Sequence, residues 1–548
     1  MKRDVLLLLL IAITFSSNAQ IVNVPADHSS IQAAIDASAN GDTILISEGT
    51  YLENLRFNGK AVTLASRYIV DQEESHISKT IINGSQPSDP DTASVVLFNQ
   101  SVDSTSVILG LTITGGKGTF YPHPWGTYRA GGGVFIEEGS GGKIAHCIIR
   151  DNHLVNDYPQ WGGGICAMLG EVGNSSLERG ILIRNNIIRN NSLTTSSTSA
   201  PSGGGIKIGT GDEYKYGIII VENNIIDSNL VKNTYQQGNA IGGGMNMGMC
   251  LPTPPGEYHI RNNIFAHNKV EAPDFVRGAG MMLIHLVVQP TYFEDLDPAP
   301  LVYNNLVYEN ESSQYAGGIA ARITLMINNT DFYTVAQPVI MNNTIVDNKA
   351  RYGVGYYSNN SVALLMNNIF NNDLSRTGAT EIVQAGISVA SILYNNLVSD
   401  GKIPEQCPKS GNKSGDPLLN TEYKLTENSP CIGKGIDSVY LRKTWHYASD
   451  YDFIGNHRPN LVDRFIDIGA IESEFAHPDV WPPVITSLSA DSLYQPETIK
   501  IISSENGMIY LVPVYTEQIL DTILINCLDK IAVEADSSEE FTLSDTVL

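Results

Sequence analysis

"RNNIIRNN", residues 184–191, is a stretch that this chain writes again and again. "VENNIIDSN" occupies 221–229, "IRNNIFAHN" 260–268, "VYNNLVYEN" 302–310 and "IMNNTIVDN" 340–348, and shorter copies follow at 365–372 and 393–400. The first asparagine of each pair falls at 185, 223, 262, 304, 342, 367 and 395. A glycine mark keeps the same step: "GGGV" at Gly131, "GGGI" at Gly162 and Gly203, "GGGM" at Gly242, then "GAGM", "GGIA" and "GVGY". Each unit therefore reads as glycines, a short alternating strand, a variable loop, a second short strand, an asparagine pair, an apolar pair and a third asparagine. Short strands at a fixed step with no helical period between them predict a coil of stacked strands.

That coil explains the asparagines. The same position of successive rungs lies about 4.8 Å apart, the ordinary strand spacing. An Asn side chain both donates and accepts, so a stacked column bonds to itself along the axis. Asn also tolerates the left-handed backbone of a sharp corner. The apolar pair beside it feeds the core, and the glycines mark tight turns or close backbone approach. The many N-x-S/T sequons, at Asn190 and Asn342 among others, are by-products of the ladder.

Upstream, "SIQAAIDASANGDT" places Ile31, Ala34, Ile35 and Ala39 on one helical face, with Ser29 and Gln32 as a capping box. Strands follow in "TILISEGTYLENLRFNGKAVTLAS" (43–66) and "SVILGLTITGG" (106–116). An amphipathic helix ahead of the first strands is expected to cover the open apolar end of the coil.

Residues 24–66 resemble the N-terminal cap and first rungs of right-handed parallel β-helix proteins of the pectin-lyase-like superfamily. "LTENSPCIGKG" (425–435) with "DFIGNHRPNLVDRFIDIGAIES" (452–473) resembles the closing segment of a bacterial exported subset, the choice-of-anchor Q type, although Gly433 stands where that ending usually has Asp. The resemblance covers about residues 21–475. It implies an all-β fold, a right-handed parallel β-helix solenoid with an N-terminal capping helix. It specifies no activity, because the superfamily contains lyases, hydrolases, esterases, epimerases and non-enzymatic surface proteins.

The expected organisation is a signal peptide over 1–19, the β-helix over 20–475 with its closing segment at about 425–475, a linker over 476–490, and a partial β-sandwich (Ig-like) module over 491–548 that looks truncated. Lys2 and Arg3 followed by "VLLLLLIAITF" and "SNA" form the signal, which implies a secreted or cell-surface protein, bacterial by the resemblance. No later stretch is long and apolar enough to be a transmembrane segment. With 548 residues, 42% hydrophobic, and Asp+Glu exceeding Lys+Arg by 58 to 34, the chain builds a core and has no charge for nucleic acid. An anionic glycan is repelled at long range unless cations or a local Lys/Arg cluster bridge it. Six cysteines do not make a disulfide scaffold; Cys407 and Cys431 flank one loop-like stretch and are the pair positioned to bridge.

Simple catalytic signatures are absent: no G-x-S-x-G, H-E-x-x-H, Walker loop or paired C-x-x-C occurs. Lyases of the superfamily neutralise a uronate carboxylate and remove its α-proton, using Ca²⁺ or Arg/Lys and a base on outward strand positions. Counting outward from the glycines gives one row of Phe135, Cys166, Lys207, Asn246, Met282, Ala320 and Tyr356. A second row holds Glu137, Met168, Gly209, Gly248, Ile284, Arg322 and Ser358. Lys207 and Arg322 are the catalytic candidates, three rungs or roughly 14 Å apart, with His285 as a third. Solvated side chains and, for His285, core packing are the simpler readings. Asp212 and Glu213 are the candidate ligands for Ca²⁺, against exposed loop acids; Arg458 with Asp467 or Glu472 reads as a structural ion pair. Aromatic loops offer carbohydrate-binding residues: Tyr121, Trp125 and Tyr128 in "TFYPHPWGTYR", Tyr158 and Trp161 in "NDYPQW". Packing of these rings on their own neighbours is the competing reading. The expected function is binding of polysaccharide by a monomer. A polysaccharide lyase acting on uronate-containing glycans is the alternative, and a non-catalytic display or adhesion rod the second.

Overall fold

A computed structural model describes residues 19–476 except 124–125, 170–179, 211–217, 251–256, 288–299, 326–337, 360, 362, 387–389, 442–443 and 463, together with five strands beyond residue 484. The chain divides after residue 477 into two units. In the first, three long parallel sheets of 13, 16 and 10 strands run side by side. A typical rung places a strand in each sheet, as in Ile181–Arg184, Ile187–Arg189 and Ile206–Thr210, and the middle rungs add a second strand to the 16-stranded sheet, here Ser192–Thr195. This is the parallel β-helix that the repeats predict. One column of inward residues fills it from Ile44 and Leu64 to Leu365 and Leu393.

The two asparagines of each pair divide the labour. Every first Asn takes the left-handed corner, with φ between 49° and 56° at 185, 223, 262, 304, 342, 367 and 395. Every second Asn points inward and joins a ladder: Asn224 Nδ2 donates to Asn263 Oδ1 at 2.9 Å and to the Ile183 carbonyl of the preceding rung at 2.9 Å, while the Asn224 backbone N–H donates to the same Asn263 oxygen. The column runs 186, 224, 263, 305, 343, 368, 396 and 412. The third asparagine of each unit builds a second column through 152, 191, 229, 268, 310, 348 and 372.

Glycines shape the corner before the third sheet. Gly162 and Gly203 have φ of 63° and 75°, and a Cβ on Gly163 would stand 2.4 Å from the Gly204 carbonyl oxygen. Cys147, Cys166, Cys407 and Cys431 are buried free thiols. Cys407 and Cys431 lie in different apolar clusters, so the bridge considered for them does not form.

The capping helix spans Ile31–Ala37 and buries Ile31, Ala34 and Ile35. Its N-cap is Ser30 rather than Ser29, and Ser30 Oγ accepts from Ala33 N–H. Gln32 grips the Arg56 backbone instead of closing a capping box, because Glu53 already accepts from the Ile31 and Gln32 N–H groups. Ala39 falls after the helix end and is exposed.

The closing segment returns across the first and second sheets. Asn304 and Asn395 donate to the Tyr451 and Lys434 carbonyls, and Asn367 exchanges two bonds with Ile436. Inside it, Arg458 meets Glu472 at 3.1 Å, with neither side chain exposed. One guanidinium faces three carboxylates, Asp452, Asp467 and Glu472. Burial pushes Glu472 up to about 8, with Arg458 opposing and Asp467 adding. The second unit holds an antiparallel sheet of Ile485–Ser487, Thr498–Ser503 and Ser538–Thr542 and a hairpin of Gly507–Leu511 with Asp529–Val533. Its first strand lies within the stretch expected as linker, where "VITS" alternates and finds a partner.

Replacing Asn263 by Ala strands buried donors and acceptors on two neighbouring rungs, and chemical unfolding should show a loss of about 3 kcal/mol. Asn223→Gly keeps the left-handed corner and should cost under about 1 kcal/mol. A carboxyl raised in the folded state adds stability below its ordinary pKa and withdraws it as pH rises. Wild-type stability should therefore carry a decline between pH 5 and 8 that Glu472→Gln removes, read from denaturant midpoints across that range.

Candidate functional site

The outer surface of the third sheet is where the sequence placed its catalytic candidates. Register runs Phe135, Cys166, Lys207, Asn246, Met282, Ala320. The next member is Tyr357, not the expected Tyr356, which pairs with Ile319 and lies in the core. The residue following the last glycine of each mark points inward, and in "GVGYY" that residue is Tyr356. The same count turns Ser358 inward and puts Asn359 beside Arg322.

This outward row is covered. Tyr128 and Trp161 stack at 3.7 Å and are only 7% and 8% exposed; with Tyr121 they pack on Phe135, Cys166 and Met168. Tyr121 also donates to Glu138 at 2.8 Å. Tyr158 is half exposed and meets Phe120 edge-on at 5.0 Å. Trp125 lies outside the described residues. Of the five aromatic candidates, Tyr128 and Trp161 thus act as packing on the sheet, and Tyr158 presents a free flank.

Lys207, 8% exposed, stands under this aromatic cover. Its Nζ donates to Asn246 Oδ1 at 2.5 Å and lies 5.8 Å from the Trp161 ring. Toward the C-terminal end the row passes under Tyr315, whose ring lies 4.6 Å from Tyr357. Arg322 is exposed on the strand Ile319–Leu325. His285 belongs to Met281–Val287, and its side chain lies outside the described residues, as do Asp212 and Glu213. Among the described residues no group of three His, Cys, Asp or Glu side chains is placed to hold a metal ion.

One cation escaped the sequence reading. Arg277 immediately precedes the glycine mark at Gly278, and the residues at that place form their own column: Trp161, Ser202, Ile241, Arg277, Tyr315 and Tyr352. Arg277 is 7% exposed, with its guanidinium 5.0 Å from the Phe275 ring and 5.9 Å from the Tyr357 ring. Burial holds its pKa below the ordinary arginine value; Tyr357 opposes the shift and Arg322 adds to it. Its Nε has no hydrogen-bond partner. Among the described residues no carboxylate pairs with Arg277 or Arg322, whereas Arg261, Arg189 and Arg376 on the other faces all have one. The column was visible as a residue preceding each glycine mark, but its mixed composition hid it.

No protein-family model and no curated protein matches the chain. Among solved structures it is similar to a PL6 family alginate lyase, at 15% identity and a TM-score of 0.30, over 85% of this chain and 60% of that one. The chain thus spans less than two thirds of that lyase's length.

If Trp161 is packing, Trp161→Ala should lower stability by about 3 kcal/mol, as core tryptophans do. Tyr158→Ala should change it by less than about 1 kcal/mol. Thermal and denaturant unfolding of the two variants separates these outcomes.

Proposed function

We propose that the chain is an exported, monomeric β-helix protein that binds a carboxylated polysaccharide along the outer surface of its third sheet. The observation that carries this reading is the pairing of Arg277 and Arg322 on one surface, beside Tyr315 and Tyr357 and without a carboxylate partner, in a chain of net charge −24. Arg277, nearly dry and hydrogen-bonded to Tyr357 but to no carboxylate, costs stability in so acidic a protein unless a ligand anion completes it. Planar guanidinium groups suit carboxylates, and flanking rings suit the apolar face of a sugar. Lys207 lies rungs away and donates to Asn246 under the aromatic cover, which suits it to hold the sheet surface more than to take a proton from a substrate. Export rests on residues 1–19 and their signal-like order of charge, apolar run and small residues.

Native gels containing polygalacturonate or alginate should retard the full chain, and added salt should weaken the retardation. Arg322→Ala, an exposed change, should weaken it at least about tenfold, the loss expected of one charge-assisted bond. A parallel ultraviolet assay for unsaturated products, with Ca²⁺ and with chelator, distinguishes binding from lyase activity. Absence of retardation by either polymer would remove the reading.

A further inference from the structure

A second aromatic surface lies in the closing segment, far along the sequence from the rings singled out above. The strands Ser438–Leu441 and Thr444–Tyr447 pair as an antiparallel hairpin, with Tyr440 opposite Trp445 and Ser438 opposite Tyr447. Alternation sends Val439 and Leu441 inward against Met341, Leu364 and Met366 of the first sheet. The other side carries Tyr440, Trp445 and Tyr447, which are 57%, 53% and 63% exposed. Ring centroids step 5.3 Å from Tyr440 to Trp445 and 6.1 Å from Trp445 to Tyr447, the latter two planes only 27° apart. The three rings form a strip fixed from behind by packing.

At its open end the strip runs into a cleft of about 530 Å³. Tyr447 stands at one side, Asp437 and Asp450 supply carboxylates, and Arg458 reaches the wall. Neither aspartate has a cation partner among the described residues. The Arg458 guanidinium itself is fully covered, facing Glu472 and donating to the Asp467, Gly469 and Ala470 carbonyls. The cleft thus offers strong acceptors and a phenol hydroxyl next to exposed ring faces. Arg442 and Lys443, between the two strands, lie outside the described residues.

We infer that this strip and cleft are a binding site for an uncharged polysaccharide, a chain of neutral pyranose units. Sugar hydroxyls both donate and accept, which matches the Asp437 and Asp450 carboxylates and the Tyr447 hydroxyl; an apolar protein partner would leave the carboxylates unsatisfied. The C–H face of a pyranose lies flat on an indole or phenol ring. Carboxylates lining the cleft disfavour a polyuronate, so the ligand differs in charge from the one proposed for the third sheet. The two sites stand on separate observations.

Affinity gels containing hydroxyethyl cellulose, xyloglucan or galactomannan test this with the full chain. At least one neutral polymer should retard it, Trp445→Ala should weaken that retardation at least tenfold, and Asp450→Asn should weaken it less. Trp445 is half exposed, and an unchanged unfolding midpoint would show that the variant is folded. Retardation by polygalacturonate should survive Trp445→Ala, and retardation by the neutral polymer should survive Arg322→Ala. The inference is overturned if none of the three polymers retards the chain, or if Trp445→Ala leaves retardation unchanged. It is also overturned if light scattering shows concentration-dependent dimers that Trp445→Ala abolishes, since the strip would then be a contact between copies.

Discussion

Each rung of the coil is tied to the next by an asparagine that has no water to turn to. In the second position of every pair the side chain is buried, so its two N–H groups and its carbonyl must all be met within the protein. The solution spans three rungs, as at Asn224: the amide donates backward to a main-chain carbonyl and forward to the next asparagine, and its own oxygen accepts from the rung before. All amides therefore point the same way, and a column of aligned donors must end on an acceptor. In the second column that acceptor is Glu381, whose two oxygens take the Asn372 backbone and side-chain N–H groups at 2.7 Å each while Ser399 donates at 2.7 Å. Burial raises the Glu381 pKa and the bonds from Asn372 oppose that shift. A carboxylate supplies two acceptors where another Asn would supply one.

The ladder decides where function can reside. With the interior closed by isoleucine columns and asparagine amides, no ligand enters the coil, and any recognition must use outward residues or the segments laid over them. The first asparagines show how such a segment is held. At Asn304, Asn367 and Asn395 the corner side chain turns outward and hooks the closing segment by its backbone, while at Asn185 it meets His146 instead. One corner residue thus serves as a turn former in every rung and as a docking point only where chain is available to dock.

The sequence made the periodic part of this legible. A period in asparagine and glycine reports a constraint that recurs in every rung, and the inward rows, the left-handed corners and the third-sheet surface all follow from it. Position Tyr356 shows the limit: with valine in the middle of "GVGYY", the count slipped by one residue and exchanged a core ring for a surface ring. The aromatic loops show another. A ring drawn toward the sheet and a ring left in solvent have the same local sequence, so Tyr128 and Trp161 could not be told from Tyr158 until the stacking at 3.7 Å was seen. Arg277 and the Tyr440–Trp445–Tyr447 strip were missed because neither belongs to the repeat: one precedes the glycine mark in a column of unlike residues, and the other lies in the closing segment, whose path over the coil no period specifies.

The two candidate surfaces differ in how their cost is borne. Arg277 is dry and unpaired at Nε, so the strand pair beside the third sheet carries a desolvated charge as a standing destabilisation that the many ladder bonds can absorb. The hairpin strip carries little charge cost; its expense is exposed ring area, which a monomer tolerates when the area is small and rigidly backed. Both arrangements are affordable only on a scaffold whose stability lies elsewhere. A solenoid meets that condition because its stability accumulates rung by rung along the axis, leaving single outer positions free to be unfavourable. The same logic places the unfavourable groups where they are found: on outer columns and in the closing segment, and never at an asparagine of the ladder.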